Sequence, residues 1–236
     1  MRLLAIDTAG STGLVALAQR DADGSLAVLN STLLPGREFS TRLIPAVAEM
    51  LQENHLALAD LDAFAVVSGP GSFTGLRVGL SAVNGMAEAL DKPVIALSRL
   101  AVMAAAAVEC APDARLVYSV LDAGRGEFYL GQYRHAGWEC VSESLETAAS
   151  LRQSLASVSR NRACIVAEKS VASSLAEWEG VAVVESVLDP MLTLAARCWH
   201  EERFADVATL DANYLRRSDA ELFARVPVPH LVPALG

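Results

Sequence analysis

Apolar and polar positions along the chain fall into short runs that recur in a fixed order. Leu3 to Thr8 is a compact apolar run, Gly10-Ser11-Thr12-Gly13 has the composition of a turn, and Gly13 to Gln19 is apolar again. Asp21-Ala22-Asp23-Gly24 makes a second turn into Ser25 to Leu34, so the opening predicts a meander of three strands. From Thr41 to Glu53 the period changes: Leu43, Val47, Met50 and Leu51 share one helical face, with Pro45 expected in the first turn or at a kink. A buried strand (Ala63 to Ser68), a glycine-rich loop and a helix (Gly75 to Leu90) follow. A strand from Val94 to Leu97 then leads through Ser98, a good N-cap, into a helix ending near Glu109.

The second half repeats the order. Arg115 to Leu121 reads as a strand, 122–126 as a turn and Glu127 to Arg134 as the returning strand. After His135-Ala136-Gly137 comes a third strand, then a helix at Glu146 to Ser157 and a strand at Ala163 to Ala167. A helix (Ser170 to Trp178), a strand (Val181 to Glu185) and a helix (Met191 to Phe204) complete it. Each half contains an apolar strand ending in aspartate, Leu4-Ala5-Ile6-Asp7 and Ser119-Val120-Leu121-Asp122, followed by a small-residue turn. Two β-β-β-α-β-α-β-α halves imply a duplicated α/β fold with mixed sheets covered by helices. The halves are expected at 1–108 and 109–205, joined through 109–113 with its Pro112, and the C-terminal segment 206–236 is placed with the first half.

Composition narrows the function classes. With 53% apolar and 20% charged residues in 236, the chain is long enough for a large packed domain or two smaller ones. Ala104 to Ala107 reads as a helix packed closely on its neighbours. A net charge of −9 argues against gripping nucleic acid unaided, and the adjacent pair Arg216-Arg217 has the look of a solvated face. The four cysteines (Cys110, Cys140, Cys164, Cys198) lie far apart, as isolated thiols in a reducing compartment do. An acid at position 7 interrupts the N-terminal apolar run too early for a signal peptide, and no apolar stretch reaches membrane-spanning length. These features predict a soluble cytoplasmic protein without a membrane partner. The tail from Val226 to Gly236 is expected to be loosely ordered.

The run Ser68-Gly69-Pro70-Gly71-Ser72-Phe73-Thr74-Gly75-Leu76-Arg77-Val78-Gly79 leaves a strand and enters a helix. Such a loop either presents free N–H groups to an anion or makes a tight strand-to-helix connection. It is not a P-loop, because Leu76-Arg77 follows Gly75, and Thr74 stands where a dinucleotide fingerprint needs glycine. Pro70 occupies the position a nucleophile elbow reserves for glycine. Beyond the loop, Gly75, Gly79 and Ala82 leave a groove for close approach of another helix, flanked by Leu76, Leu80, Val83 and Met86. That neighbour is either part of the same domain or a partner.

With the opening Leu4-Ala5-Ile6-Asp7-Thr8 and the late Tyr214-Leu215-Arg216, this run resembles the TsaB family, strongest in the first hundred residues and extending over essentially the whole chain. The resemblance implies an actin-like fold and a non-catalytic scaffold. Such a subunit binds the catalytic TsaD, and with it the ATPase TsaE, for transfer of a threonylcarbamoyl group to the adenosine beside the tRNA anticodon. It further implies a homodimer, contact with tRNA only through the complex, and a shared surface for self-pairing and TsaD formed by Phe39, Leu43, Val47, Leu76, Gly79, Leu80, Val83 and Met86. In actin-like ATPases the two hairpin turns clamp nucleotide phosphates and Mg²⁺. This makes Asp7, Thr8, Ser11, Thr12, Asp122 and Gly124 the candidate phosphate-binding residues, with Gly69, Gly71, Ser72 and Gly75 in the glycine-rich loop. The adenosine loop expected late in the second half corresponds to Val166-Ala167-Glu168-Lys169-Ser170, which has no glycine. The resemblance therefore implies no tightly bound cofactor and leaves ATP or ADP with Mg²⁺ to the composite interface.

TsaD carries two metal-binding histidines on the helix after the meander. The matching stretch here, Arg37 to Leu43, has none, and His55, His135, His200 and His230 are scattered, so neither a metal site nor a catalytic residue is expected. An ATPase or small-molecule kinase is the alternative reading, and a peptidase a third, without a nucleophile–base pair to support it.

Overall fold

The structure, a computed structural model, describes residues 1–134, 139–156, 163–175 and 181–215. The expected turn at 135–137, the far ends of the helices drawn to Ser157 and Trp178, the Arg216-Arg217 pair and the tail lie outside the described residues.

Strands β1 (Arg2–Asp7), β2 (Thr12–Arg20) and β3 (Leu26–Pro35) form the antiparallel meander. Helix α1 (Phe39–Glu53), strand β4 (Ala63–Gly69), helix α2 (Phe73–Leu90) and strand β5 (Val94–Ser98) follow. Short helices α3 (Arg99–Ala105) and α4 (Ala107–Cys110) end the first half. The second half runs β6 (Leu116–Gly124), β7 (Glu127–Arg134), β8 (Glu139–Thr147), α5 (Ala148–Ala156), β9 (Ala163–Glu168), α6 (Lys169–Ala172), β10 (Val181–Val184) and α7 (Leu188–His200). Sheet orders β3-β2-β1-β4-β5 and β10-β9-β6-β7-β8 are the same topology twice, with β6 in the place of β1. In each, the central strand pairs antiparallel to the next strand and parallel to the crossover strand. This is the duplicated actin-like fold anticipated from the sequence.

Side-chain alternation along the strands builds five layers. Leu4 and Ile6 of β1 and Phe64 and Val66 of β4 point to the outer face, where Leu43, Val47 and Met50 of α1 and Leu80 and Val83 of α2 cover them. Leu3, Ala5, Ala63 and Ala65 point inward, with Ala16 and Ala18 of β2, against α3 and against Met191, Leu192 and Ala195 of α7. Alanines on that face let the middle helices sit close to the sheet. Leu100, Met103, Ala104 and Ala107 in turn pack on Val117, Leu121 and Tyr133 of the second sheet, so the alanine run packs closely on its neighbours as expected, with Ala106 partly exposed. Leu151, Leu155 and Val171 cover its outer face.

Several boundaries differ from the sequence reading. Glu146 and Thr147 belong to β8, where they pair with Phe128 and Glu127, and not to the following helix. Helix α7 begins at Leu188 and ends at His200. Helix α1 starts at Phe39, directly after a 3-10 turn at Gly36–Glu38, which puts the exposed Pro45 in the second turn. The helix drawn from Ser98 towards Glu109 is interrupted at Ala106. Among the described residues no helix is long and apolar enough to cross a membrane.

The chain after α7 crosses back to the first half. Ala205 N–H donates to the Val94 carbonyl (2.8 Å), Asn84 Nδ2 to the Leu210 carbonyl (3.3 Å) and Asn213 N–H to the Ser68 carbonyl (2.7 Å). Asn213 is also one spoke of a polar hub centred on the half-buried Glu143 of β8. The carboxylate accepts from Ser98 Oγ, from Tyr133 Oη and, at 3.0 Å, from Asn213 Nδ2, drawing together β5, β7, β8 and the returning segment. Cys140 and Cys198 line a neighbouring cavity of about 640 Å³ with Glu143 and Tyr133, and burial pushes both thiols up.

Burial, reinforced by the neighbouring Glu143 charge, raises the Tyr133 phenol far above its ordinary value of 10.0. The folded state therefore holds this proton more tightly than the unfolded chain does. Its stabilisation is complete below the unfolded pKa of about 10 and is lost as pH rises beyond it. The thermal midpoint should fall from pH ~10 upward, and fall less steeply in Tyr133→Phe, as a calorimetric pH series on the two proteins would read.

Candidate functional site

The two Asp-tipped turns face one cleft between the halves. Two adjoining cavities, of about 560 and 780 Å³, share Ser11, Arg99, Glu168 and Ser170 in their walls. Asp7 and Thr12 line the first, Asp122 and Gly124 the second. Both aspartates make the same local bond: Asp7 Oδ1 accepts from Ala9 N–H (2.8 Å) and Asp122 Oδ1 from Gly124 N–H (2.7 Å). An aspartate closing an Asx-type turn at the end of a central strand is thus duplicated at atomic detail. Asp7 is buried and Asp122 exposed.

Thr8 is used differently from the expectation. Its side chain is buried, and its hydroxyl donates to the Gly75 carbonyl at 2.7 Å, tying the end of β1 to the first turn of α2 instead of facing the cleft. The glycine-rich loop serves that junction. Ser72 N–H donates to the Ala9 carbonyl (2.8 Å), and Ser72 Oγ caps α2 by accepting from Gly75 N–H (3.3 Å). A Cβ on Gly75 would lie 2.1 Å from the Thr8 carbonyl oxygen, one on Gly71 2.5 Å from that of Ala9, and one on Gly79 2.3 Å from Thr8 Oγ1. Gly69 (φ +131°) makes room for the Asn213 carbonyl. Two of the loop's N–H groups are spent internally, and the contacts favour the reading of a tight connection.

A residue that belongs to no motif dominates the cleft. Arg99, the first residue of α3, reaches in with a side chain only 12% exposed. Its Nη2 lies 2.5 Å from Glu168 Oε1, and its Nε lies 4.0 Å from Asp7 Oδ2. The guanidinium rests on Gly10, where a Cβ would fall 2.5 Å from Nη2. Glu168 belongs to the very stretch that stands in for an adenosine loop. The fold family implies Mg²⁺-nucleotide between the turns, and the Asp7 side does not fit it: the Arg99 guanidinium already lies between Asp7 and Glu168, and Asp7 is turned towards its own turn and Arg99.

The second surface of interest is the outer face of α1 and α2. Of the residues expected to meet a partner, Phe39, Leu43, Val47, Leu76, Gly79, Leu80 and Val83 are buried within the first half. They shape the helix pair against its own sheet, and Met86 is half-buried. The outward groove between the helices, about 600 Å³, is lined by Phe39 and Leu43 of that set together with Ile44, Phe73, Arg77, Val78, Ser81 and Ala82, with Ile44 53% and Phe73 45% exposed. At its end Arg77 stacks over Phe73 (3.9 Å to the ring centroid) and its Nε donates to Tyr214 Oη at 3.2 Å. The Phe73 and Tyr214 rings lie 5.2 Å apart. Among the described residues no group of three or more His, Cys, Asp or Glu side chains is placed to hold a metal ion.

The family model described as TsaD, tRNA N6-adenosine threonylcarbamoyltransferase, matches residues 34–235. A tRNA threonylcarbamoyladenosine biosynthesis protein TsaB from Haemophilus influenzae is 39% identical over 132 residues, 56% of this chain and 53% of the relative. The protein of the same name from Escherichia coli is 38% identical over 57% of this chain and 55% of its own length. The chain thus spans about half the length of the curated relatives it matches. Among solved structures, YeaZ from Pseudomonas aeruginosa superposes with a TM-score of 0.74 at 28% identity, covering 91% of this chain and 99% of that one.

Proposed function

Because the chain belongs to the TsaD family, tRNA N6-adenosine threonylcarbamoyltransferase, and TsaB proteins are among its curated relatives, we propose that it is a non-catalytic accessory subunit of the assembly that places the threonylcarbamoyl group on the adenosine beside the tRNA anticodon. It docks on the catalytic TsaD subunit, and TsaE joins the pair. The α1–α2 groove carries this reading. Exposed Ile44 and Phe73 form an apolar strip of the kind that marks a docking surface. The Arg77–Phe73–Tyr214 cluster at its end supplies the residue types that dominate interface energetics, already held in place. The same face serves self-pairing, so homodimer and heterodimer exclude one another. With a net charge of −9 the chain leaves the tRNA backbone to its partners.

Size-exclusion chromatography with light scattering tests this. The chain mixed with TsaD from its own source should elute as a complex of one copy each while its homodimer disappears. Separate elution of the two, with ATP, TsaE and tRNA all present, would contradict the proposal.

A further inference from the structure

We propose that Arg99 is the cleft's own built-in cation: it takes the place of a divalent metal between Asp7 and Glu168 and fastens the two halves across the cleft. Three observations meet at this side chain. Its charge is permanent, since a guanidinium does not titrate in proteins. It bridges a carboxylate at the end of β1 in the first half, 4.0 Å away, and one at the end of β9 in the second, 2.5 Å away. Its buried Nε donates to no acceptor among the described residues, although the Asp7 carboxylate faces it. That geometry neutralises charge without forming the full set of hydrogen bonds of a dedicated Arg–Asp fork, which is what an ion placed between two carboxylates does.

Gly10 completes the arrangement, because any side chain there would collide with Nη2. A Mg²⁺ ion entering beside Asp7 would meet like charge at close range, and the two carboxylates nearest it, Asp7 and Glu168, already face Arg99. Glycine is absent from Val166 to Ser170, and the Glu168 of that stretch supplies Arg99's counter-charge instead. The inference stands apart from the docking proposal, since a chain that met no partner would still show it.

Mn²⁺ titration followed by electron paramagnetic resonance reads the outcome. The wild-type protein should retain no Mn²⁺, with or without ATP. Arg99→Gln leaves Asp7 and Glu168 uncompensated, so it should bind one Mn²⁺ at least tenfold more tightly than wild type, and adding Asp7→Asn should remove the gain. Retention of Mn²⁺ or Mn²⁺·ATP by the wild-type chain overturns the proposal, whether or not the variant folds. So does a folded Arg99→Gln protein that binds no better than wild type.

Discussion

Replacing Gly75 by alanine should lower the thermal midpoint by about 6–12 °C, while the same replacement at Gly85, ten residues along the same helix, should raise it by about 1–4 °C. The contrast follows from where each Cβ would go. At Gly75 it would lie 2.1 Å from a main-chain oxygen, that of Thr8, which cannot rotate aside. Helix α2 would have to lift from the end of β1, straining the bond from Thr8 Oγ1 to the Gly75 carbonyl. Overpacking of this kind costs about 1–3 kcal/mol, and a weakened buried hydrogen bond adds about 1, for a total near 3 kcal/mol. At Gly85 a Cβ meets nothing within 4 Å. There the gain is the helix preference of alanine, roughly 0.4–1 kcal/mol. Differential scanning calorimetry on the two variants checks both signs. Equal shifts would mean that Gly75 has no special contact.

Glu143→Ala is the second large effect, about 3 kcal/mol. The variant leaves the Tyr133 hydroxyl, on a side chain only 1% exposed, with a single distant neighbour in Ser98 Oγ at 3.5 Å. It also frees the Asn213 amide from the second half. A buried donor stripped of a charged acceptor carries its full desolvation cost, and bonds to charged groups are worth about 1.5–3 kcal/mol each. The loss should also be local. Amide exchange should accelerate at Ala205 and Asn213, whose N–H groups hold the returning segment to Val94 and Ser68, more than in the core of β1. Tyr133→Phe combined with Glu143→Ala should cost little more than Glu143→Ala alone, since the two act through one bond.

The order of elements was legible because strand and helix write different periods into the chain. Leu4-Ala5-Ile6 is apolar on both faces because β1 is covered by helices on both sides. The Asp-tipped turns were legible as a repeated local motif, and their meeting across one cleft is what the actin-like resemblance implied. How deeply the expected partner-facing residues are covered was not legible, and the reason is physical. Spacing identifies the apolar stripe of a helix but not what covers it, and the stripe through Leu43, Val47, Leu80 and Val83 belongs to the first half's own core. The outward groove is mixed, with Ile44 and Phe73 among Ser40, Thr74 and Ser81, so no period marks it. Arg99 and Glu143 carry no local signal at all. Each is one charged residue in an ordinary element, and only the packing of two halves brings Arg99 to Glu168 or Glu143 to Ser98 and Asn213.

The docking claim is tested most directly by titration calorimetry of TsaD from the same source into this protein and into its Ile44→Asp/Ser81→Arg variant. Ile44 and Ser81 are exposed and line the groove, so the variant keeps the core of the first half intact. The wild type should give a saturable one-to-one isotherm and the variant at least a hundredfold weaker association, at an unchanged thermal midpoint. A folded variant that binds TsaD as tightly as the wild type would contradict it.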